Sequence, residues 1–141
     1  MSGTTLRALV AAVLFIHGIG HATGIIPALQ LFEVKNWNSR SWLLTPILGE
    51  TVSRILSIIL FLIALIGFIG STLALLDWVI PHDWWRMLAL VSSVISIVTI
   101  VLFWNAFVTF FPNKVGAFGV DIAVLVCLLI LNWPTEAALG Y

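Results

Sequence analysis

Apolar residues run along the chain in four long segments, which polar stretches separate. The segments cover residues 6–26, 50–76, 85–111 and 115–133, and a helix needs roughly 20 mainly apolar residues to cross a bilayer. Because backbone polar groups in lipid must be hydrogen-bonded within their own segment, each segment is expected to be a helix. The pattern therefore predicts an all-α integral membrane four-helix bundle, with residues 1–141 forming a single transmembrane domain.

The connections between these predicted helices differ in length. Residues 77–84 and 112–114 are short connections, which predicts antiparallel neighbouring helices. The connection over residues 27–49 is long and mixes aromatic residues with cations, namely Phe32, Trp37, Trp42, Lys35 and Arg40. This composition is typical of a segment in the lipid headgroup layer, so we expect a long interfacial loop between the first two helices.

Composition supports a membrane location. The chain is 62% hydrophobic and 9% charged, with a mean hydropathy of +1.19, whereas soluble domains are about half apolar and about a quarter charged. These values exclude a water-soluble globular protein and make the lipid bilayer the expected partner. The net charge is zero and there is no basic run, which argues against a nucleic-acid partner. The single cysteine, Cys127, cannot form an internal disulfide.

Small residues recur at helical spacing along the predicted helices. Gly20 and Gly24 form a GxxxG pair, Gly67 belongs to a similar series in the second helix, and the third helix carries Ser92 and Ser96. Membrane helices associate through such small residues because lipid tails are as apolar as leucine. We expect these positions to pack helices together, either within the chain or against partners in a homo-oligomer or a larger membrane complex.

Ionisable side chains inside apolar segments are costly and suggest function. The first and third helices should end, and the second and fourth begin, on the same side of the membrane. The polar residues in question all lie near that side: His17, His21, Glu50, Arg54, Asn105 and Asp121. We therefore expect them to meet in one leaflet and to line a polar pocket under the long loop.

His17 and His21 are four residues apart and should project from one helix face. This spacing suits two ligands of Zn²⁺ or a similar metal, with Asp121 or Glu50 completing the shell. A structural role as hydrogen-bonding residues stays open. The shared face argues against a bis-histidine haem, whose axial ligands must come from opposite sides of the iron, whereas a tetrapyrrole with one ligand stays open.

Asp121 lies within an apolar run and needs a partner, for which a histidine of the first helix is the natural candidate. A His–Asp pair could act in proton transfer or could simply join two helices, and the sequence leaves both open. Glu50 and Arg54, four residues apart, are expected to form an ion pair where the second helix begins. No catalytic residue can be assigned, so whether the protein is an enzyme stays open.

The first predicted helix carries the sequence LRALVAAVLFIHGIGHATG, with an HGxxHxxG motif from His17 to Gly24. This segment resembles the first helix of DoxX-like proteins, which are small four-helix bacterial membrane proteins. The segments RMLALVSSVISIVTIVLFW and VGAFGVDIAVLVCLLIL are similar to the third and fourth helices of that family. The resemblance implies a multi-pass protein of the bacterial inner membrane with quinone-linked chemistry, carried by His17, His21 and Glu50. The long Trp-rich loop departs from the compact members.

Three functions are consistent with these observations. The first is a polar pocket in one leaflet that binds a small ligand, a metal or a lipophilic molecule such as a quinone. The second is an accessory or structural subunit of a larger membrane complex, redox or photosynthetic. The third is a subunit of a quinone-linked redox enzyme.

Overall fold

The computed structural model describes residues 2–30, 35–107 and 109–141, so Phe32 of the predicted interfacial loop lies outside the described residues. Within these ranges the chain is all-helical and contains no strand. The helices are α1 (Gly3–Gly20), α2 (Ala22–Leu29), α3 (Leu44–Leu75), α4 (Trp85–Leu102), α5 (Val115–Leu125) and α6 (Glu136–Leu139).

Three helical segments are long and apolar enough to cross a membrane: Gly3–Leu29, Leu44–Leu75 and His82–Leu102. They confirm that the first three apolar segments form helices of the length and apolarity that a membrane span needs. The fourth forms a shorter apolar helix, Val115–Ile130, in which a wide turn extends α5. It ends before the predicted residue 133 because the main-chain N–H of Trp133 bonds back to the Cys127 carbonyl, 2.9 Å away.

The first span contains a tight turn at His21, where α1 passes into α2. The main-chain N–H of His21 bonds to the Gly18 carbonyl at 3.1 Å. The ring Nδ1 of His21 lies 2.9 Å from the His17 carbonyl, the group that the His21 N–H would reach in an undisturbed α-helix. The ring thus supplies the hydrogen bond at this carbonyl, and the contact fixes its orientation.

Helix α3 begins at Leu44, six residues before its predicted start at residue 50. The Ser41 hydroxyl accepts hydrogen bonds from the main-chain N–H groups of Leu43 and Leu44, a cap typical of a helix start. Gly49 then interrupts the helix with φ +81°, a conformation that glycine adopts without steric cost. Residues 44–48 of the predicted loop are therefore helical, and the chain changes direction at Gly49, just before Glu50.

The prediction of one continuous helix over residues 85–111 is wrong. Helix α4 ends at Leu102, Phe103 has non-helical dihedral angles, and a short 3₁₀ turn follows at Trp104–Ala106. The connection between α2 and α3 supplies donors to carbonyls around this break. The indole N–H of Trp42 donates to the Val101 carbonyl at 2.8 Å, and that of Trp37 donates to the Ala106 carbonyl at 2.7 Å.

Helix α3 packs against both α1 and α4. Its aromatic residues Phe61 and Phe68 are completely buried. A Cβ atom added to Gly24 would lie 2.6 Å from the Phe61 ring, and one added to Gly67 would lie 2.0 Å from the Ser92 hydroxyl. These close approaches pack α2 and α4 against α3 and place the aromatic face of α3 behind the two histidines.

The C-terminal segment folds back onto the helix ends, a feature that the sequence did not predict. Leu139 of α6 is fully buried. Glu136 lies 2.7 Å from the His82 ring, and the Tyr141 hydroxyl donates to the Leu75 carbonyl at 2.8 Å. This segment therefore connects the end of α3 with the start of α4.

Candidate functional site: a buried polar network beside an apolar groove

Four polar side chains, two from the first span and one each from α4 and α5, meet inside the protein. His17 Nε2 lies 2.8 Å from Asp121 Oδ1. The Ser96 hydroxyl lies 2.5 Å from Asp121 Oδ2 and 2.6 Å from His21 Nε2. We call His17, His21, Ser96 and Asp121 the polar network. It connects α1 and the turn at His21 with α4 and α5.

The hydrogen bonds of His21 assign one of its protons. Its Nδ1 atom contacts the His17 carbonyl, which can only accept, so Nδ1 must carry a hydrogen. The other ring nitrogen, Nε2, contacts the Ser96 hydroxyl, which also contacts Asp121. These two contacts need two hydrogens, and the hydroxyl supplies only one of them.

The second hydrogen therefore lies on His21 Nε2 or on Asp121 Oδ2. In the first arrangement His21 is an imidazolium and Asp121 a carboxylate, and in the second both groups are neutral. With His17 neutral and donating from Nε2 to Asp121, the network has no net charge in either arrangement. This matches its burial, because an uncompensated charge is costly to remove from water.

Aromatic side chains of α3 cover one side of the network. The Phe68 ring lies edge-on to the His17 ring, with 4.6 Å between centroids. Phe68 also contacts His21 at 5.6 Å, and Phe61 lies 6.3 Å from it. Because both phenylalanines are fully buried, this wall excludes water from α3's side of the network.

A groove of about 400 Å³ lies on another side of the network, between α1 and α5. We call it the His17 groove. Its walls are mainly apolar and include Ile16, Gly20, Ala117 and Val120. A Cβ atom added to Gly20 would meet no described atom within 4 Å, so this glycine borders open space. The predicted packing role of Gly20 therefore has no partner among the described residues.

The structure brings together three of the six residues predicted to share one pocket. Glu50 is exposed and forms an ion pair with Arg40 at 2.5 Å, and Arg54 donates to the side chain of Gln30. Both Glu50 and Arg54 line a separate surface cavity of about 780 Å³. The expected Glu50–Arg54 pair is not formed because each residue has another partner, and the kink at Gly49 precedes Glu50.

Asn105 does not join the polar network either. It is exposed in the 3₁₀ turn after α4, and its main-chain carbonyl accepts a hydrogen bond from the Asn38 N–H at 3.0 Å. It borders a second surface cavity near the loop, together with Glu50. The unwinding of the chain after Leu102 explains this position, since the prediction assumed an intact helix.

Ser96 is the member of the network that the sequence did not identify as functional. The spacing of small residues assigned it to a packing seam, and it is fully buried on α4. Its seam neighbour Ser92 contacts Gly67, as packing requires. Nothing in the spacing distinguishes the two serines, because only the fold brings Ser96 between His21 and Asp121.

The donor set of the network also suits a metal ion. The available ligand atoms of His17, His21 and Asp121 lie within 4.8 Å of one another. Two imidazoles and a carboxylate are ligands that Zn²⁺ and similar divalent ions accept, at about 2.0–2.2 Å. A metal bound there would replace the hydrogens now shared among the three side chains. Hydrogen bonding and metal binding are therefore alternative uses of the same atoms.

Comparisons of this chain with protein-family models, with curated proteins and with solved structures gave no match. The resemblance of its first helix to DoxX-like proteins stays a prediction from the sequence.

Proposed function

We propose that this protein is a multi-pass membrane protein that binds the polar headgroup of a lipophilic molecule, such as a quinone, in the His17 groove. One observation carries the proposal: a buried, hydrogen-bonded network has one edge on an apolar groove. Among its members, Ser96 and Asp121 are completely buried and His21 is 1% exposed, whereas His17 is 9% exposed. His17 is thus the most exposed member, and a ligand in the groove, which His21 also lines, would touch it first.

In this proposal the apolar helix Val115–Ile130 crosses the membrane as a fourth span, and neighbouring spans are antiparallel. A bilayer can thin locally around a short helix at modest cost. Asp121 would then lie in the hydrocarbon layer, where an isolated carboxylate is costly. Its bonds to His17 and Ser96, and the neutrality of the network, offset that cost.

The chemistry of the groove supports an amphiphilic ligand. Its volume of about 400 Å³ lies in the range of small-molecule sites, which are mostly apolar with a few polar groups that fix orientation. Quinones combine an apolar ring with carbonyl oxygens, and their reduced forms carry hydroxyl groups. A histidine can donate to the former or accept from the latter, depending on its tautomer.

A divalent metal is the second candidate, and the 4.8 Å clustering of three ligand atoms favours it. Such a metal would be held by His17, His21 and Asp121, all of them buried. Assembly in a homo-oligomer or a larger membrane complex, and a role as a quinone-linked redox enzyme subunit, remain proposals from the sequence.

Equilibrium binding by the detergent-purified protein tests the proposal. The probe is a fully substituted benzoquinone. The test variant is His17→Gln. The matched control is His82→Gln, which lies just before α4, at the end of that helix farther from Ser96. Loss of one good hydrogen bond should weaken binding about tenfold in His17→Gln, with no change in His82→Gln. Equal binding by both variants would contradict the proposal. The metal candidate would be favoured if the unmodified protein held one zinc ion per chain, His17→Gln lost that ion, and neither protein bound the quinone.

A further inference from the structure

A second groove, of about 320 Å³, continues from the His17 groove along α1 and α5. Val13 and Val120 line both grooves, so the two are continuous. No acidic, basic or amide side chain lines this second groove, which contains the single cysteine, Cys127. We call it the tail cleft.

The tail cleft is a concave trough rather than a flat helix face. Its floor consists of buried side chains, including Leu14, Trp85 and Leu128, while Leu9 and Ala123 on its sides are exposed. It reaches Leu6, eleven residues before His17 on α1. At about 1.5 Å per residue of helix, it extends about 16 Å from the polar network.

We propose that the tail cleft holds the hydrocarbon tail of the same ligand whose headgroup contacts His17. This inference rests on the proposed function and deepens it: the ligand class becomes long-chain amphiphiles with a compact, oxygen-bearing headgroup. A headgroup at His17 would place the first carbons of its tail at Val13 and Val120, where the trough begins. The wholly apolar lining matches a chain of methylene or isoprene units.

The cleft would set the orientation of the ligand more than its affinity. The lipid around the tail is as apolar as the side chains of the cleft. Moving the tail from the bilayer into the cleft therefore gains little hydrophobic free energy. Packing in the trough does favour one direction for the tail, away from the interfacial loop. Tail position is therefore the quantity to measure.

Cys127 provides the measurement, since it is the single cysteine and lines the cleft. The purified protein would be alkylated with a membrane-permeant maleimide in the presence of one of two fully substituted benzoquinones. One carries a long saturated tail, and the other has a methyl group in its place. We expect both to bind, but only the tailed quinone to slow alkylation of Cys127. His17→Gln should remove this protection together with headgroup binding.

Two tryptophan variants provide matched controls for the same assay. Ala123→Trp fills the cleft and should abolish the protection of Cys127 by the tailed quinone, with little effect on the binding of either quinone. Ala12→Trp changes an exposed alanine of α1 that lines neither groove, and it should alter neither.

The outcomes separate this inference from the proposed function. Binding of the tailed quinone without protection of Cys127, or equal protection in His17→Gln, would overturn the tail assignment alone. Cys127 that is already unreactive in the ligand-free protein would indicate a lipid chain or a second copy in the cleft and would also overturn it. Failure of both quinones to bind would overturn the proposed function itself.

Discussion

The Nε2 atom of His17 lies 2.8 Å from Oδ1 of Asp121, a hydrogen bond between residues 104 positions apart in the sequence. It joins the first apolar helix to the last. Ser96 and His21 extend this contact into a buried network that borders the His17 groove at its two histidines, of which His17 is the more exposed.

Asp121→Asn should be tolerated, whereas Asp121→Ala should not. The amide can accept from His17 and donate to Ser96, whose hydroxyl then donates to His21, so every contact keeps a hydrogen without any charge. We expect the free energy of unfolding to change by about 1 kcal/mol or less. Asp121→Ala leaves buried polar groups unpaired and should cost about 3–5 kcal/mol. Unfolding in mixed detergent measures the free energy of unfolding of both variants. An equal loss in the two would contradict the assignment of hydrogens within the polar network.

Ser96→Ala and Ser93→Ala should differ although both serines are buried on α4. The Ser96 hydroxyl bonds to His21 and Asp121, so its removal should cost about 1–3 kcal/mol. The Ser93 hydroxyl has no hydrogen-bond partner among the described residues, so Ser93→Ala should leave stability unchanged or raise it. Thermal unfolding in detergent measures the difference, and equal melting temperatures would remove Ser96 from the network.

Gly24→Ala should destabilise the protein far more than Gly20→Ala, although the two glycines form one GxxxG pair. A methyl group at Gly24 would meet the buried Phe61 ring at 2.6 Å, whereas one at Gly20 meets open space. Overpacking of this kind costs about 1–3 kcal/mol. The same unfolding assay applies. Equal destabilisation would show that Gly20 also packs, for example against a second copy of the chain.

Trp42→Phe should loosen the break after α4. The variant keeps an aromatic ring but removes the N–H that donates to the Val101 carbonyl. We expect faster amide hydrogen exchange at residues 101–107, with little change in α3. Trp78→Phe, at an exposed tryptophan in the connection between α3 and α4, is the control. Unchanged exchange in Trp42→Phe would mean that the break does not depend on this contact.

Hydropathy alone located the three helices that are long and apolar enough to cross a membrane, because the cost of exposing polar backbone in lipid leaves few alternatives to a helix. It could not locate the end of α4. The break at Phe103 is accompanied by indole donors from Trp37 and Trp42, and those residues lie some sixty positions earlier in the sequence. Such a tertiary contact leaves no trace in local periodicity.

The site was predictable in part, because an ionisable group inside an apolar segment is costly unless it has a partner. Asp121, an acid in an apolar run, required a partner, and a histidine of the first helix was the expected one. The sequence could not choose between His17 and His21, because the turn at His21 changes where its ring points. The prediction placed Glu50 near the histidines because of its depth in the membrane, and this was wrong. The position of Glu50 follows instead from the kink at Gly49 and from its contact with Arg40.

Photo-crosslinking with a benzoquinone that carries an azide on its ring tests the central claim most directly. The proposal predicts that illumination attaches the probe to residues 13–23 of the first span and to residues 116–120 of α5, the two walls of the His17 groove. Excess unlabelled quinone should prevent this labelling, and His17→Gln should reduce it. Labelling confined to exposed faces such as Ile55 and Ile59 of α3, with none on the groove walls, would contradict the account.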